Sequence, residues 1–156
     1  MKARKKESVS IHRLRVLAEF RHQLRLFLRF SEAAAEKFNL QPQQHQLLLQ
    51  IAGVPDGVAA TVGYAAERLG LRHHSVVELS TRCEEAGLIQ RTHAGTDRRC
   101  VLLELTPVGQ QMLEALSIDH ERELNVLAPQ LIRTLTTIKS ARGKTNEETS
   151  EPNHAI

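Results

Sequence analysis

At 156 residues the chain is long enough for one domain with extensions, and it can bury a core without disulfide or metal staples. Apolar residues make up 41% of it and aromatics only 3%, with no Trp, so Leu, Val, Ile and Ala must build that core, which suits helices. The net charge of +3 singles out no partner by itself, no apolar run approaches the roughly 18 residues of a membrane span, and the two cysteines, Cys83 and Cys100, form no CxxC and read as free thiols of a reducing cytosol.

The charge distribution says more than its sum. Residues 1–30 hold nine Lys or Arg against two Glu. Residues 1–10 read as a basic flexible arm, able to attract a polyanion, either nucleic acid or an acidic membrane face. This start is charged throughout and lacks the apolar centre of a signal peptide, so a cytoplasmic location is expected.

From residue 11 the pattern turns helical. Leu14, Leu17, Phe20, Leu24, Phe27, Ala34, Ala35 and Phe38 recur at three- and four-residue steps, with Arg13, Arg15, Arg21, Arg25 and Arg29 between them. Residues 11–40 are read as an N-terminal dimerisation helix, because a helix this long needs a large surface to pack on.

Pro42 opens the next helix at a position where a missing N–H is harmless, and Gly53-Val-Pro-Asp-Gly57 stops it. Thr61 can cap a third helix over 62–69, which Gly70 ends. A fourth follows at once, over about 73–86, and Gly87 ends it. Two short helices joined by a tight glycine turn form a helix-turn-helix pattern. Residues 88–93 and 100–105 then read as two strands around the polar turn Ala94-Gly-Thr-Asp-Arg-Arg99, a β-hairpin or wing.

Thr106-Pro107 marks the start of another helix, running to about Leu127. Pro129 is expected to break or kink it, and a last helix carries Leu131, Ile132, Leu135 and Ile138. Residues 139–156 are polar, lack periodicity and are expected to be disordered. The fold class that follows is mostly α with a small β-hairpin wing. A winged helix-turn-helix DNA-binding lobe (41–105) is flanked by long N- and C-terminal dimerisation helices (11–40 and 106–138).

In the fourth helix Val76, Leu79, Cys83 and Ala86 are spaced as an inner face. The other side offers Arg72, His73, His74, Ser75, Glu78 and Arg82. The first residues of the second helix in such a motif lie against base edges in the major groove, where Ser and His donate or accept and Arg reads guanine. At the wing tip Arg98 and Arg99 can reach phosphates or a narrow minor groove, and Asp97 can hold Arg99 extended. Taken alone, either set is also what a solvated helix face or a charged turn looks like.

The stretch Glu84-Glu-Ala-Gly-Leu-Ile-Gln-Arg91, followed by Asp97-Arg-Arg-Cys-Val-Leu-Leu-Glu-Leu-Thr-Pro-Val-Gly109, resembles the MarR family of bacterial regulators. Asp97, Arg99, Leu103, Leu105, Thr106 and Gly109 match that family's wing pattern, whereas Tyr64 and Ala65 depart from its third helix. The resemblance covers about residues 11–138. It implies a homodimer joined by its terminal helices, gripping a double-stranded DNA operator of two-fold symmetry, and a repressor released by a small aromatic or phenolic effector. It also implies an effector site near the first, second and fifth helices, for which His22, Arg25, Gln44 and His45 are the polar candidates. Capping and surface polarity explain the same four residues.

Two other functions compete with a DNA-binding regulator. Eight His and two Cys raise a metal-responsive regulator, but no HxxxH, HxH or CxxC occurs, so no metal ligands are assigned. A winged helix can also serve as a protein-interaction module, and six Arg against six acids over 62–105 leave room for that. No nucleophile elbow, phosphate loop or HExxH appears, so no enzyme and no cofactor are expected.

Overall fold

A computed structural model describes the backbone of residues 10–94 and 97–147, and the side chains of 10–93 and 100–140. Five helices and one hairpin follow in the order α1 (Ile11–Lys37), α2 (Pro42–Ala52), α3 (Val62–Leu69), α4 (His73–Glu85), β1 (Ile89–Ala94), β2 (Asp97–Leu105) and α5 (Pro107–Glu147). The chain divides into two compact units, residues 30–121 and the pair of segments 1–29 and 122–156. The arm and the last residues of the tail lie outside the described residues.

Local chemistry sets each boundary in the 30–121 unit. The Thr61 hydroxyl accepts from the Tyr64 N–H at 3.0 Å and so caps α3. Three helices stop in the same way. Asn39, Gly70 and Gly87 adopt φ of 56°, 64° and 71°. At each, two N–H groups turn back onto the last turn, as Gly87 onto Glu84 at 2.9 Å and Leu88 onto Cys83 at 2.9 Å.

The core of this unit gathers Leu47, Leu48 and Ile51 of α2, Val62 and Ala65 of α3, and Val76, Leu79 and Cys83 of α4. Ile89, Leu103, Leu113 and Leu116 close it. Ala65, a departure from the family pattern, is buried there, with Tyr64 half-buried beside it. Strands β1 and β2 pair antiparallel, with Ile89 opposite Leu105 and Arg91 opposite Leu103. Sequence patterning missed a short third partner: Thr61 bridges Leu102, and the Leu103 N–H donates to the Ala60 carbonyl at 2.8 Å. The strand β2 also begins earlier than expected, at Asp97 rather than Cys100, because the hairpin ladder carries on past a bulge at His93/Ala94.

In the other unit the ends of α1 and α5 pack together with little apolar burial. The Gln130 amide donates to Glu19 Oε1 at 2.9 Å, and the buried Gln23 amide reaches the same oxygen at 2.7 Å. Leu127 and Thr134 are buried, whereas Leu14, Leu17, Leu24, Leu28, Ile132 and Leu135 are exposed. Two expectations for α5 are corrected. Pro129 lies inside one continuous helix rather than between two. It removes a single ladder bond, to the carbonyl of the exposed Asn125, which water can satisfy. The helix also runs on to Glu147, past the expected end at Ile138. Lys139, Ala141, Arg142 and Lys144 are good helix formers, so propensity extends the helix where apolar periodicity has stopped.

Candidate nucleic-acid interface

The site is built on α4. Val76, Leu79, Ser80 and Cys83 are buried, and they fix which way the helix faces. Ala86 was expected on that inner face but is exposed, because it caps the helix one residue beyond its last turn. Ser80 takes its place, its hydroxyl satisfied by the Val77 carbonyl at 2.9 Å. Burial pushes the Cys83 thiol up to about 11, partly opposed by the Arg82 charge, so it stays a neutral core group.

On the opposite face Arg72, His73, His74, Glu78 and Arg82 are exposed and Ser75 is half-buried. Among the described residues, α4 alone of the five helices starts without a side-chain hydrogen bond. Its first residue is preceded by Arg72, which makes no cap. Ser10 serves α1, Gln44 serves the start of α2, Thr61 caps α3 and Thr106 caps α5. The first N–H groups of α4 therefore face outward beside an arginine, with the positive end of the helix dipole behind them.

The wing is tied to this helix at its base. The Thr106 hydroxyl accepts from the Gly109 N–H at 3.0 Å and donates to the Gly87 carbonyl at 2.7 Å. The Thr106 N–H donates to the Leu88 carbonyl at 3.0 Å. A Cβ on Gly109 would come within 2.0 Å of that Leu88 oxygen, so only glycine fits. Thr106 and Gly109 thus lock the end of α4 to the start of α5. The side chains of Asp97, Arg98 and Arg99 lie outside the described residues.

The four effector candidates are not brought together in one unit. His22 and Arg25 are exposed on the part of α1 that belongs to the 1–29 and 122–156 unit. Gln44 accepts from the Gln41 N–H at 2.9 Å, so it caps α2. His45 is buried, its ring 4.8 Å from that of His120. Burial, and then repulsion from His120, lowers its pKa to about 4, so it is held neutral. His120 bridges helices, bonding the Leu116 carbonyl at 2.7 Å and the Ser31 hydroxyl at 2.8 Å. No sequence signal singled out His120, because Ser31 and His45 lie far from it along the chain. Among the described residues, no three His, Cys, Asp or Glu gather as metal ligands.

A model of the MarR family matches residues 38–99, the segment that carries α2, α3, α4 and β1. Over those residues the winged helix is similar to that of the MarR family. No curated protein matches the chain. The chain shares its fold with AbsC, a MarR family transcriptional regulator from Streptomyces coelicolor. That pair is 18% identical over 92% of this chain and 98% of the other, with a TM-score of 0.70. A MepR–DNA complex from S. aureus is 22% identical over 90% and 99% of the two chains, with a TM-score of 0.64. A MarR-like regulator from Bacillus cereus is 13% identical over 91% and 100%, again at 0.64. The expected fold class, mostly α with a small β-hairpin wing, is the one observed. No helix among the described residues is long and apolar enough to cross a membrane.

Proposed function

We propose that the chain is a sequence-specific DNA-binding transcription regulator that acts as a homodimer in the cytoplasm. One observation carries this reading: the outer face of α4, from Arg72 to Arg82, is left open by the described residues at a helix start without a side-chain cap. Free N–H groups and an arginine at that point suit a phosphate, and His73, His74 and Ser75 of the same first turn suit base edges. The MepR structure in complex with DNA supports the same use of the fold. Exposed leucines on α1 and α5 support the dimer, since a second copy would cover them.

Selection of bound sequences from random duplex DNA with purified protein tests it. The expected product is a near-palindrome with half-site centres about one helical turn apart, bound with a steep loss of affinity as salt rises. Failure to enrich any duplex, with the fold intact, would leave the interaction-module reading instead. The finer role is that of a repressor released by a small aromatic ligand. Release of the selected duplex by a phenolic compound, together with a rise in melting temperature, checks it.

A further inference from the structure

The hairpin meets α4 at a second place, beyond its base. The Arg91 N–H donates to Glu84 Oε1 at 3.0 Å, and the Arg91 guanidinium donates through Nη1 to the Thr81 hydroxyl. That nitrogen also lies 3.9 Å from Glu84 Oε2. The Thr81 hydroxyl in turn donates to the Val77 carbonyl at 2.9 Å, so it is held ready to accept. Thr81 and Glu84 are three residues apart and share one face of α4. Arg91 follows Ile89 on the inward side of β1, where alternation calls for another apolar residue. The guanidinium is half-buried there, and its Nε has no partner among the described residues. An apolar side chain would pack at this position without that cost. Beyond Arg91 the ladder is irregular at His93/Ala94, and among the described residues no further hydrogen bond ties the hairpin to α4.

We propose that Arg91 is a positioning residue: with Thr81 and Glu84 it forms a strut that sets the angle of the wing to the recognition helix, and so sets duplex specificity without reading a base. This rests on the DNA-binding reading above. The base at Gly87, Leu88 and Thr106 is one attachment, about which a hairpin can pivot. The strut is a second attachment, roughly three strand residues or 10 Å further out, and removes that freedom. A duplex must be met by helix and wing together, so their fixed spacing discriminates between sequences of different groove width.

The test compares wild type with Thr81→Val, Glu84→Ala and Arg91→Lys, the last of which keeps the charge but loses the fork. Affinity is measured for the duplex selected by the wild-type protein and for a scrambled duplex of equal length. Hydrogen exchange at residues 90–93 is measured on the DNA-free protein. We expect each variant to lower the ratio of the two affinities about five- to tenfold and to speed exchange by a similar factor. Binding of the scrambled duplex should stay within about twofold of wild type. A double variant of Thr81 and Arg91 should do no more harm than either change alone. If Arg91→Lys weakens both duplexes while Thr81→Val and Glu84→Ala change nothing, Arg91 is a direct phosphate contact and the proposal falls. Unchanged exchange in all three variants overturns it as well. If the wild type itself does not distinguish the duplexes, the DNA reading and the specificity claim fail together, and exchange alone then decides whether the strut exists.

Discussion

Two single residues show how polar chemistry constrains the interior of the 30–121 unit. His45 is 3% exposed, and its Nδ1 is buried without a partner among the described residues. Its pKa falls from 6.5 to about 4 on folding, so the unfolded chain binds the extra proton first. Stability is then complete above about pH 6.5 and is lost as pH falls towards 4, by on the order of 3 kcal/mol. Denaturant melts at several pH values should show this slope, and His45→Leu should flatten it. Gly109 carries the opposite kind of constraint. Alanine there gains about 1 kcal/mol of helix propensity but drives a methyl group into the Leu88 carbonyl. The clash outweighs the gain, so Gly109→Ala should cost about 3 kcal/mol, read as a drop of roughly 6–12 °C in melting temperature. Thr106 and Gly109 were legible in the sequence as a pattern. The reason for it, a Leu88 carbonyl to which Thr106 donates and which Gly109 must not crowd, was not.

At the scale of elements, helix starts and stops were the most readable features. Thr61, Pro42, Gly70 and Gly87 act through their own backbone neighbours, so their effect is written locally. Pro129 misled for the same reason, since a local rule predicts a break. Ladder bonds on either side of it carry α5 through, and the carbonyl it orphans, that of the exposed Asn125, is open to water. Pro129→Ala should therefore restore one bond and stabilise the chain by about 1–2 kcal/mol, after allowing for the unfolded-state rigidity that proline provides. A calorimetric scan showing no gain would mean that α5 frays before that bond matters. The strut at Arg91 was invisible in sequence as a contact, because a basic residue in a strand reads equally well as a solvated one.

For the whole molecule, the two units differ in how they bury apolar surface. The 30–121 unit has a closed core, while the paired ends of α1 and α5 leave Leu17, Leu24 and Leu28 open along one side of α1. A hydrophobic stripe of that kind is costly for a monomer and is the expected seam of a dimer. Leu24→Glu combined with Leu28→Glu should yield a monomer by sedimentation equilibrium, with the helical signal of the 30–121 unit retained. Duplex affinity should then fall by more than tenfold, because one half-site is engaged at a time. A dimer that survives both changes would place the interface elsewhere.

Sequence alone determined the succession of α1 to α4, the hairpin and the start of α5, the caps at Thr61, Gly70 and Gly87, and the burial of Val76, Leu79 and Cys83 in α4, because each depends on residues within a few positions of one another. The exposed face of α4 also followed, as the complement of that inner face. Only the tertiary structure decided that His45 meets His120, that Ala60 and Thr61 pair with β2, and that Arg91 of the hairpin meets Thr81 and Glu84 of α4. Those outcomes depend on distances between segments far apart in the chain, which no local pattern encodes.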